Sequence, residues 1–222
     1  MEIPDDMKQF FSNGEYCEKN VYYHLQRLVD CNSVFYDIGA NYGYYSVRLA
    51  GVCKQIYSFE PVTKTFSVLC ENTSNFPNVK PIKLGLFNEF GEHEINLYNV
   101  SGCNSLFRRN VNVLRYVGVE NIQLDTLDHV IDYLNLLPPT IIKMDVEGVE
   151  KHILQGASNT LTHKPVLLLE YGITTANDSG YDVSDILEIL TGYGYKIQSL
   201  SGDNDLFLYD QIDTSTTNIL AT

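Results

Sequence analysis

The sequence has few basic residues for its length. Its 222 residues include 15 Lys and Arg against 28 Asp and Glu, which gives a formal net charge of −13. A groove that follows a nucleic-acid backbone, or a site on an anionic membrane, needs clustered Lys and Arg. The basic clusters are short, such as Arg108-Arg109. We therefore expect no nucleic-acid partner.

Paired cysteines and long apolar runs are also missing. The five cysteines are odd in number and scattered, without a Cys-x-x-Cys pair, so neither a disulfide framework nor a zinc ribbon fits. No run approaches the roughly 18 apolar residues of a membrane helix. The first residues are acidic, whereas a signal peptide begins with basic ones. The sequence predicts a cytoplasmic globular protein with reduced thiols and no membrane insertion.

What is present is an alternation of short apolar runs and amphipathic stretches, which predicts βαβ units around a parallel sheet. Residues 1–31 are predicted to form a helical segment, whose helix begins at Asn20 and buries Val21, Leu25, Leu28 and Val29. The predicted strands are 33–38, 55–59, 79–84, 140–144 and 166–169. The predicted helices between and after them are 45–49, 65–72, 128–135, 149–161 and 183–191. No linker separates a second domain, so 1–222 is treated as one domain.

Three segments depart from this rhythm. Residues 88–121 form an insertion with hairpin-like signals at 94–98 and 104–107, at an edge of the sheet where substrate loops commonly lie. Residues 195–200 and 206–209 flank a short turn, so they are predicted to pair as an antiparallel hairpin. The tail over 211–222 is rich in Thr and polar residues and is predicted to be disordered.

The first strand ends in a glycine-containing turn that is typical of a ligand site. Asp37 closes the strand, Gly39 and Gly43 bracket the turn, and a helix follows at once. Glycines allow a ligand to approach the backbone closely. Glu60 ends the second strand, 17 positions after Gly43, where an acid can hold a ribose diol. The glycine turn alone also fits an ordinary βα turn, but together with Glu60 it favours ligand binding.

Five segments, in this order, resemble one family. They are Asp-Ile-Gly-Ala-Asn-Tyr-Gly at 37–43, Ser-Phe-Glu-Pro at 58–61, Asp-Thr-Leu-Asp at 125–128, Ile-Lys-Met-Asp-Val-Glu-Gly-Val-Glu at 142–150 and Leu-Leu-Glu-Tyr at 168–171. Together they resemble the FkbM family of S-adenosylmethionine-dependent methyltransferases. The resemblance implies a Rossmann-like class I methyltransferase: a three-layer α/β/α fold with a seven-stranded, mostly parallel sheet, a C-terminal antiparallel hairpin and a small β insertion after the third strand.

The resemblance also implies a cofactor, S-adenosylmethionine, and the residues around it. The methionine part would lie near the glycine turn, the ribose at Glu60 and the adenine at Gly85-Leu86, where many class I enzymes carry an acid that is absent here. Asn104-Ser105 would close over the cofactor, and Asp145 would face the sulfonium. The implied cofactor-binding set is Asp37, Gly39, Asn41, Tyr42, Gly43, Glu60, Pro61, Gly85, Leu86, Asn104, Ser105 and Asp145.

Methyl transfer to a hydroxyl needs an acceptor held in line with the donor and a group that removes the proton. Asp145 is the first candidate for this base and Glu170 the second, while Lys143 is a candidate to orient a carboxylate or bind an acceptor oxygen. The alternation of Lys143 with Met144 also fits a helix contact.

Each of the neighbouring polar residues also has a structural interpretation. Glu147 and Glu150 fit the first turn of a helix, where the dipole favours acids, and His152 fits helix packing. Asp125 and Asp128 fit caps of the next helix. Asp145, Glu147 and Glu170 are also able to gather a divalent cation, but no dense Asp-x-Asp cluster supports a metal site, and none is assigned.

The resemblance implies an O-methyltransferase that acts on a sugar or glycan hydroxyl, with a deoxyhexose such as rhamnose as one option. The partners expected are a small-molecule or oligosaccharide acceptor and glycosyltransferase domains, fused or associated, with the chain as a domain cut from a larger glycan-building protein. One alternative acceptor is a non-sugar natural product. Two other classes stay open: a nicotinamide-dependent oxidoreductase, disfavoured by the Gly-x-x-x-Gly spacing, and a non-catalytic ligand-binding scaffold.

Overall fold

A computed structural model describes residues 1–3, 5, 8, 11–12, 15–16, 19–109, 114–201, 205–208 and 218–222. The strands are β1 (Phe11–Ser12), β2 (Glu15–Tyr16), β3 (Val34–Ile38), β4 (Gln55–Phe59), β5 (Val79–Ile82), β6 (Gly85–Leu86), β7 (Gly91–Tyr98), β8 (Tyr116–Asp125), β9 (Ile141–Met144), β10 (Val166–Glu170), β11 (Ile197–Ser201), β12 (Asp205–Leu208) and β13 (Asn218–Ala221). The helices are α1 (Lys19–Leu28), α2 (Tyr44–Leu49), α3 (Thr63–Thr73), α4 (Leu127–Tyr133), α5 (Glu150–Gln155), α6 (Ser158–Thr162), α7 (Ile173–Asp178) and α8 (Val183–Gly192).

The main sheet runs through the middle of the molecule. Within the described ranges it has eight strands, in the order β12-β11-β13-β10-β9-β3-β4-β5. Strands β10, β9, β3, β4 and β5 pair in parallel, whereas β13 is antiparallel to both β10 and β11. Strands β11 and β12 form the expected antiparallel hairpin. The predicted mostly parallel sheet with a C-terminal hairpin is confirmed.

Both faces of the sheet are covered, which makes the fold a three-layer α/β/α sandwich. Successive residues of a central strand point to opposite faces, so Phe35 packs with the apolar sides of α1 and α2 while Tyr36 packs with α4, α5 and α8. Every residue of β3 and of β9 is buried. Strands buried on both faces need continuous apolar runs, which is why these segments were recognisable in the sequence.

The end of the chain corrects one expectation. The tail over 211–222 was predicted to be disordered; residues 211–217 lie outside the described residues, but β13 is a central strand of the sheet with Ile219 fully buried. Its register places Leu220 opposite Leu168 of β10. An apolar Ile-Leu-Ala run between buried neighbours forms a strand because both of its edges find backbone partners.

The insertion forms a second, smaller sheet in the order β6-β8-β7. The expected strand over 94–98 lies within β7, but its antiparallel partner is β8, whereas 104–107 pairs with β7 at an isolated bridge between Asn96 and Ser105. The predicted insertion over 88–121 ends inside β8, which continues to Asp125, so the insertion is longer than expected. The predicted helix over 149–161 is divided into α5 and α6, and α7 was not predicted.

Candidate functional site

A cleft opens where the chain changes direction across the sheet. From β3 the chain proceeds to β4 and β5 on one side, whereas β9 and β10 lie on the other side. Crevices at the carboxyl ends of strands at such a switch point are the usual ligand sites of open α/β sheets. The cleft encloses about 620 Å³ of open space. Eight of the predicted cofactor residues line it: Gly39, Asn41, Glu60, Pro61, Gly85, Leu86, Asn104 and Asp145.

The turn after β3 is held against the loop after β9. Gly39 has a positive φ of 76°, and a Cβ built on it would lie 1.9 Å from the backbone oxygen of Asp145. Only glycine lets these two backbones come so close. Asn41 also has a positive φ, of 50°, and its Oδ1 atom is buried without a hydrogen-bond partner in the described part of the chain. A buried acceptor of this kind, in a residue that lines the cleft, fits a donor group on a ligand.

Glu60 is the acid at the end of β4. Its Oε2 accepts from the backbone N–H of Asn41 (3.2 Å) and its Oε1 from that of Val62 (2.9 Å). Burial raises the pKa of Glu60 to about 7, and the two backbone N–H groups only partly oppose this shift. Each carboxylate oxygen has a second lone pair, so the group is able to accept two further hydrogen bonds from a ligand in the cleft.

Much of the remaining wall of the cleft is apolar. Gly85 and Leu86 line it together with Pro61, as predicted, and the small sheet adds Ile95 and Leu124. The insertion also contributes Ser101, Gly102 and Leu106. Ile95 and Leu124 were missed by the sequence reasoning, because the alternating apolar pattern of their strands is the same as that of any half-buried strand.

Four predicted cofactor residues do not line the cleft. Asp37 is fully buried beneath the turn, where Ser46 Oγ donates to its Oδ2 (2.6 Å), and burial raises its pKa. Gly43 faces α3, since a Cβ there would lie 2.7 Å from Leu69. The Tyr42 hydroxyl donates to Ser101 Oγ (2.5 Å).

Ser105 completes this set, because its Oγ donates to the backbone oxygen of Glu147 (2.7 Å). None of the four residues lines the cleft, and direct contact with the cofactor stays a prediction for each of them. Asp37 and Gly43 support the glycine turn, whereas Tyr42 and Ser105 hold the insertion against the rest of the site.

Asp145 follows β9 and is partly exposed, with 22% of its side-chain surface accessible. Its Oδ2 lies 3.0 Å from Nζ of Lys143, and its side chain is hydrogen-bonded to Glu170 at the end of β10. Burial alone would raise the pKa of Asp145, but the Lys143 ammonium and the hydrogen bond to Glu170 together hold it below its usual value. Asp145 is thereby kept ionised in a largely buried place, as a proton acceptor needs to be.

Lys143 has a different position from the one expected for an acceptor contact. Its side chain is only 4% exposed, its Nζ lies 4.6 Å from the centre of the Tyr45 ring, and it lines neither the cleft nor the cavity next to it. Binding of an acceptor oxygen by Lys143 stays a prediction. The other expectation, that it orients a carboxylate, agrees with its ion pair to Asp145.

A second cavity, which we call the chamber, lies beyond Glu147. It encloses about 500 Å³ of open space and is lined by Cys103, Arg109, Glu147, Glu150, Glu170, Gly172, Thr174 and Thr175. Glu147 lines both the cleft and the chamber, and its Oε2 accepts from Nη1 of Arg109 at 2.6 Å. Arg109 was not singled out in the sequence, because its partner is 38 positions away.

The other candidate residues have structural partners. Glu150 is buried, and Tyr181 donates its hydroxyl to Glu150 Oε2 (2.5 Å); this residue does more than complement a helix dipole. His152 stacks on Phe87 with ring centres 4.7 Å apart, which confirms helix packing. Asp128 was interpreted as the cap of its own helix, but Thr126 caps α4.

Asp128 instead accepts from the backbone N–H groups of Asn159 (2.7 Å) and Thr160 (2.8 Å) at the start of α6. Asp125 accepts from the backbone N–H of Thr126 (2.7 Å), beside the cap of α4. Across the described ranges, no group of three or more His, Cys, Asp or Glu residues is arranged to hold a metal ion. In the same part of the chain, no helix is long and apolar enough to cross a membrane.

Comparisons with known proteins agree on one family. The family model described as "Methyltransferase FkbM domain" matches residues 37–197. A curated relative, hexuronic acid methyltransferase AglP of Haloferax volcanii, is 23% identical over 194 residues, which are 86% of this chain and 76% of that protein.

Solved structures give the same fold. Methyltransferase FkbM from Methylobacillus flagellatus has a TM-score of 0.56 and 17% identity, and the match covers 93% of this chain but only 51% of that one. This chain thus spans about half the length of that structure. SMU.1697c from Streptococcus mutans, described as a methyltransferase and solved in complex with SAH, has a TM-score of 0.54 and 12% identity, with 91% and 95% covered. The Rossmann-like class I fold is confirmed.

Proposed function

Because the chain belongs to the FkbM methyltransferase family, we propose that it transfers a methyl group from S-adenosylmethionine to a hydroxyl group of a sugar. The observation that carries the proposal is the meeting of two cavities at the end of β9, where Asp145 lines the cleft and Glu147 lines both. One cavity is apolar enough for an adenosyl group, and the other is lined by polar groups suited to hydroxyls. The relative AglP, described as a hexuronic acid methyltransferase, supports a sugar acceptor.

The residues of the cleft fit this cofactor part by part. Asn41, with its unpartnered Oδ1, would accept a hydrogen bond from the methionine amino group. The Glu60 carboxylate would accept from the two ribose hydroxyls, and Leu86 with Pro61 would pack against the adenine ring. The cofactor supplies a methyl group on a positively charged sulfur, and that charge is lost when the methyl group leaves. The site therefore needs to position the acceptor more than to stabilise a new charge.

Asp145 is the group we assign as the base. It would accept the proton of the acceptor hydroxyl as the new carbon–oxygen bond forms, with the electron pair of the former O–H bond remaining on the oxygen. Lys143 of β9 forms an ion pair with the Asp145 carboxylate, and Glu170 at the end of the neighbouring strand β10 is hydrogen-bonded to it. Both are assigned as positioning residues, with Glu170 as the second candidate for the base, because it also lines the chamber.

The first test is calorimetric titration with S-adenosylmethionine and with its demethylated product, with NAD as the control. We expect both adenosyl compounds to bind and NAD not to bind. Mass spectrometry then follows the gain of one methyl group on glycosides and on non-sugar alcohols, which are the alternative acceptors. Binding of NAD alone would favour an oxidoreductase. Adenosyl binding without transfer to any hydroxyl would favour a ligand-binding scaffold.

Cofactor binding should depend on pH through Glu60. Because its pKa is raised to about 7 by burial, Glu60 is protonated below that pH, and only its ionised form is able to accept from both ribose hydroxyls. We expect the affinity to increase as the pH rises through 7, and protons to be released on binding at pH 6. Calorimetry in buffers of different ionisation enthalpy measures this release.

Glu60→Gln should bind the cofactor at least about tenfold more weakly and without the proton release, because one good hydrogen bond to a charged group is worth that much. The exposed Glu71→Gln is the matched control and should behave as the unchanged protein. Equal proton release by Glu60→Gln would contradict the assignment of the ribose to Glu60.

A further inference from the structure

Arg109 stands in the chamber with an unused hydrogen-bond donor. Its side chain is nine-tenths buried, its Nη1 donates to Glu147, and its Nε has no acceptor in the described part of the chain. A guanidinium N–H that is removed from water without an acceptor is costly. A residue that lines an open chamber and carries such a donor is suited to a ligand oxygen.

The other groups of the chamber determine what kind of oxygen fits. Three carboxyl groups, those of Glu147, Glu150 and Glu170, line it against the single guanidinium of Arg109, whose charge is already matched by Glu147. Carboxylates accept hydrogen bonds and donate none when ionised. Glu170 has to carry the proton of its hydrogen bond to the ionised Asp145, so a ligand in this chamber needs groups that both donate and accept.

Hydroxyl groups meet both requirements, because each one donates and accepts. They are able to donate to the carboxylates and to accept from Arg109 Nε, while the side chains of Thr174 and Thr175 offer further hydroxyls at the wall. The thiol of Cys103 adds no charge, since burial raises its pKa to about 11. A carboxylate on the ligand would find no unpaired cation among the lining residues, because Glu147 already pairs with Arg109.

We infer that the chamber is the acceptor subsite for a neutral polyhydroxylated sugar, and that the Arg109–Glu147 ion pair selects it against acidic sugars. The inference rests on the proposed function, since it names the class of acceptor. Glu147 keeps Arg109 from binding an acidic group with both of its charged edges, because one edge is already occupied. The Nε–H of Arg109 then donates a hydrogen bond to an uncharged oxygen of the ligand.

The test is saturation-transfer NMR on the full chain with methyl glycosides of neutral hexoses and deoxyhexoses, each compared with its hexuronide, with and without SAH. We expect neutral glycosides to give signals at least about tenfold stronger than hexuronides, because no unpaired cation in the chamber offsets the lost hydration of a carboxylate. Arg109→Gln should lose the neutral signal, and Arg109→Lys should recover little of it, since lysine has no planar fork.

Two further variants make the selectivity testable. Glu147→Gln removes one negative charge and leaves Arg109 free to pair with a ligand, so hexuronides should gain at least about tenfold. Arg108→Gln is the matched control, because Arg108 is exposed and stacks on Tyr116 outside the chamber, and its signals should stay unchanged.

The outcomes separate this inference from the proposed function. Binding of SAH without any neutral glycoside signal, or with equal hexuronide signals, overturns the inference and leaves the cofactor assignment standing. A glycoside signal that depends on Arg109 in a chain that binds no SAH supports the chamber and overturns the proposed function.

Discussion

Asp145→Asn is expected to lower the rate of methyl transfer by about 10²- to 10⁴-fold, which is the range of a positioned general base. Asparagine has nearly the same shape, and its Oδ1 is able to accept from Lys143 in place of the carboxylate. The cleft should therefore keep its form and the affinity for S-adenosylmethionine should change little. Single-turnover rates and calorimetry of the same preparation separate the two effects.

The control for this variant is Asp125→Asn, which changes a carboxylate that is buried but lies outside both cavities. It should cost some stability, because Asp125 accepts from the backbone of Thr126, and leave the rate per folded molecule unchanged. A rate near that of the unchanged protein for Asp145→Asn would contradict the assignment of the base. A large loss for Glu170→Gln alone would then transfer the role to Glu170.

Lys143→Met should have the largest effect on stability. The ammonium is buried between two acids: it pairs with Asp145 and also lowers the pKa of Asp37, which burial raises. Removing one partner of a buried ion pair typically costs about 3–5 kcal/mol, because the other charge is left uncompensated. Urea unfolding at pH 8 should show a loss of this size, whereas methionine fills a similar volume and leaves no large cavity.

The direction of the pH dependence follows from the pKa of Asp145. In the unchanged protein this pKa is lowered, so the carboxylate stabilises the fold above its ordinary pKa, and the contribution is lost as the pH falls through the lowered value. Without Lys143, burial dominates and the pKa of Asp145 rises above its ordinary value. The variant should then become relatively more stable as the pH falls, since protonation removes the uncompensated charge.

The same change should appear in the rate. A base acts in its ionised form, so the rise of the single-turnover rate with pH should move to higher pH in Lys143→Met. Lys151→Met is the matched control, because Lys151 pairs with Asp185 at a partly exposed position and lines neither cavity. An unmoved pH profile would show that Lys143 has only a structural role.

The central part of this fold and site was predictable from the sequence because it is encoded locally. Strands buried on both faces are continuous apolar runs, and β4 was predicted at its observed bounds. Gly39, Glu60 and Asp145 each follow such a run directly. The parallel sheet then brings their positions to one edge, so their order in the chain was enough to group them.

The other features of the fold and the site depend on contacts between residues far apart in the sequence, which no local sequence pattern predicts. Arg109 meets Glu147 across 38 positions, and Asp128 caps a helix that begins 30 positions later. Strand β13 is a short apolar run after a polar segment. It forms a strand because it pairs with β10 on one side and β11 on the other. Asp37 lies in the same sequence motif as Gly39 and Asn41, which line the cleft. Its side chain instead follows the alternation of β3 and points into the interior.

The position of β13 has a consequence for how the chain is made. A ribosome delivers β10, then β11 and β12, and only afterwards β13, which belongs between β10 and β11. Until β13 emerges, the nascent sheet has an open edge at β10, while the finished β11–β12 hairpin has no strand to join. Such an edge is a template for pairing with other chains, and closing a gap with distant segments is slow. During synthesis, we therefore expect a chaperone to act at this edge of β10, where it would prevent pairing with other chains.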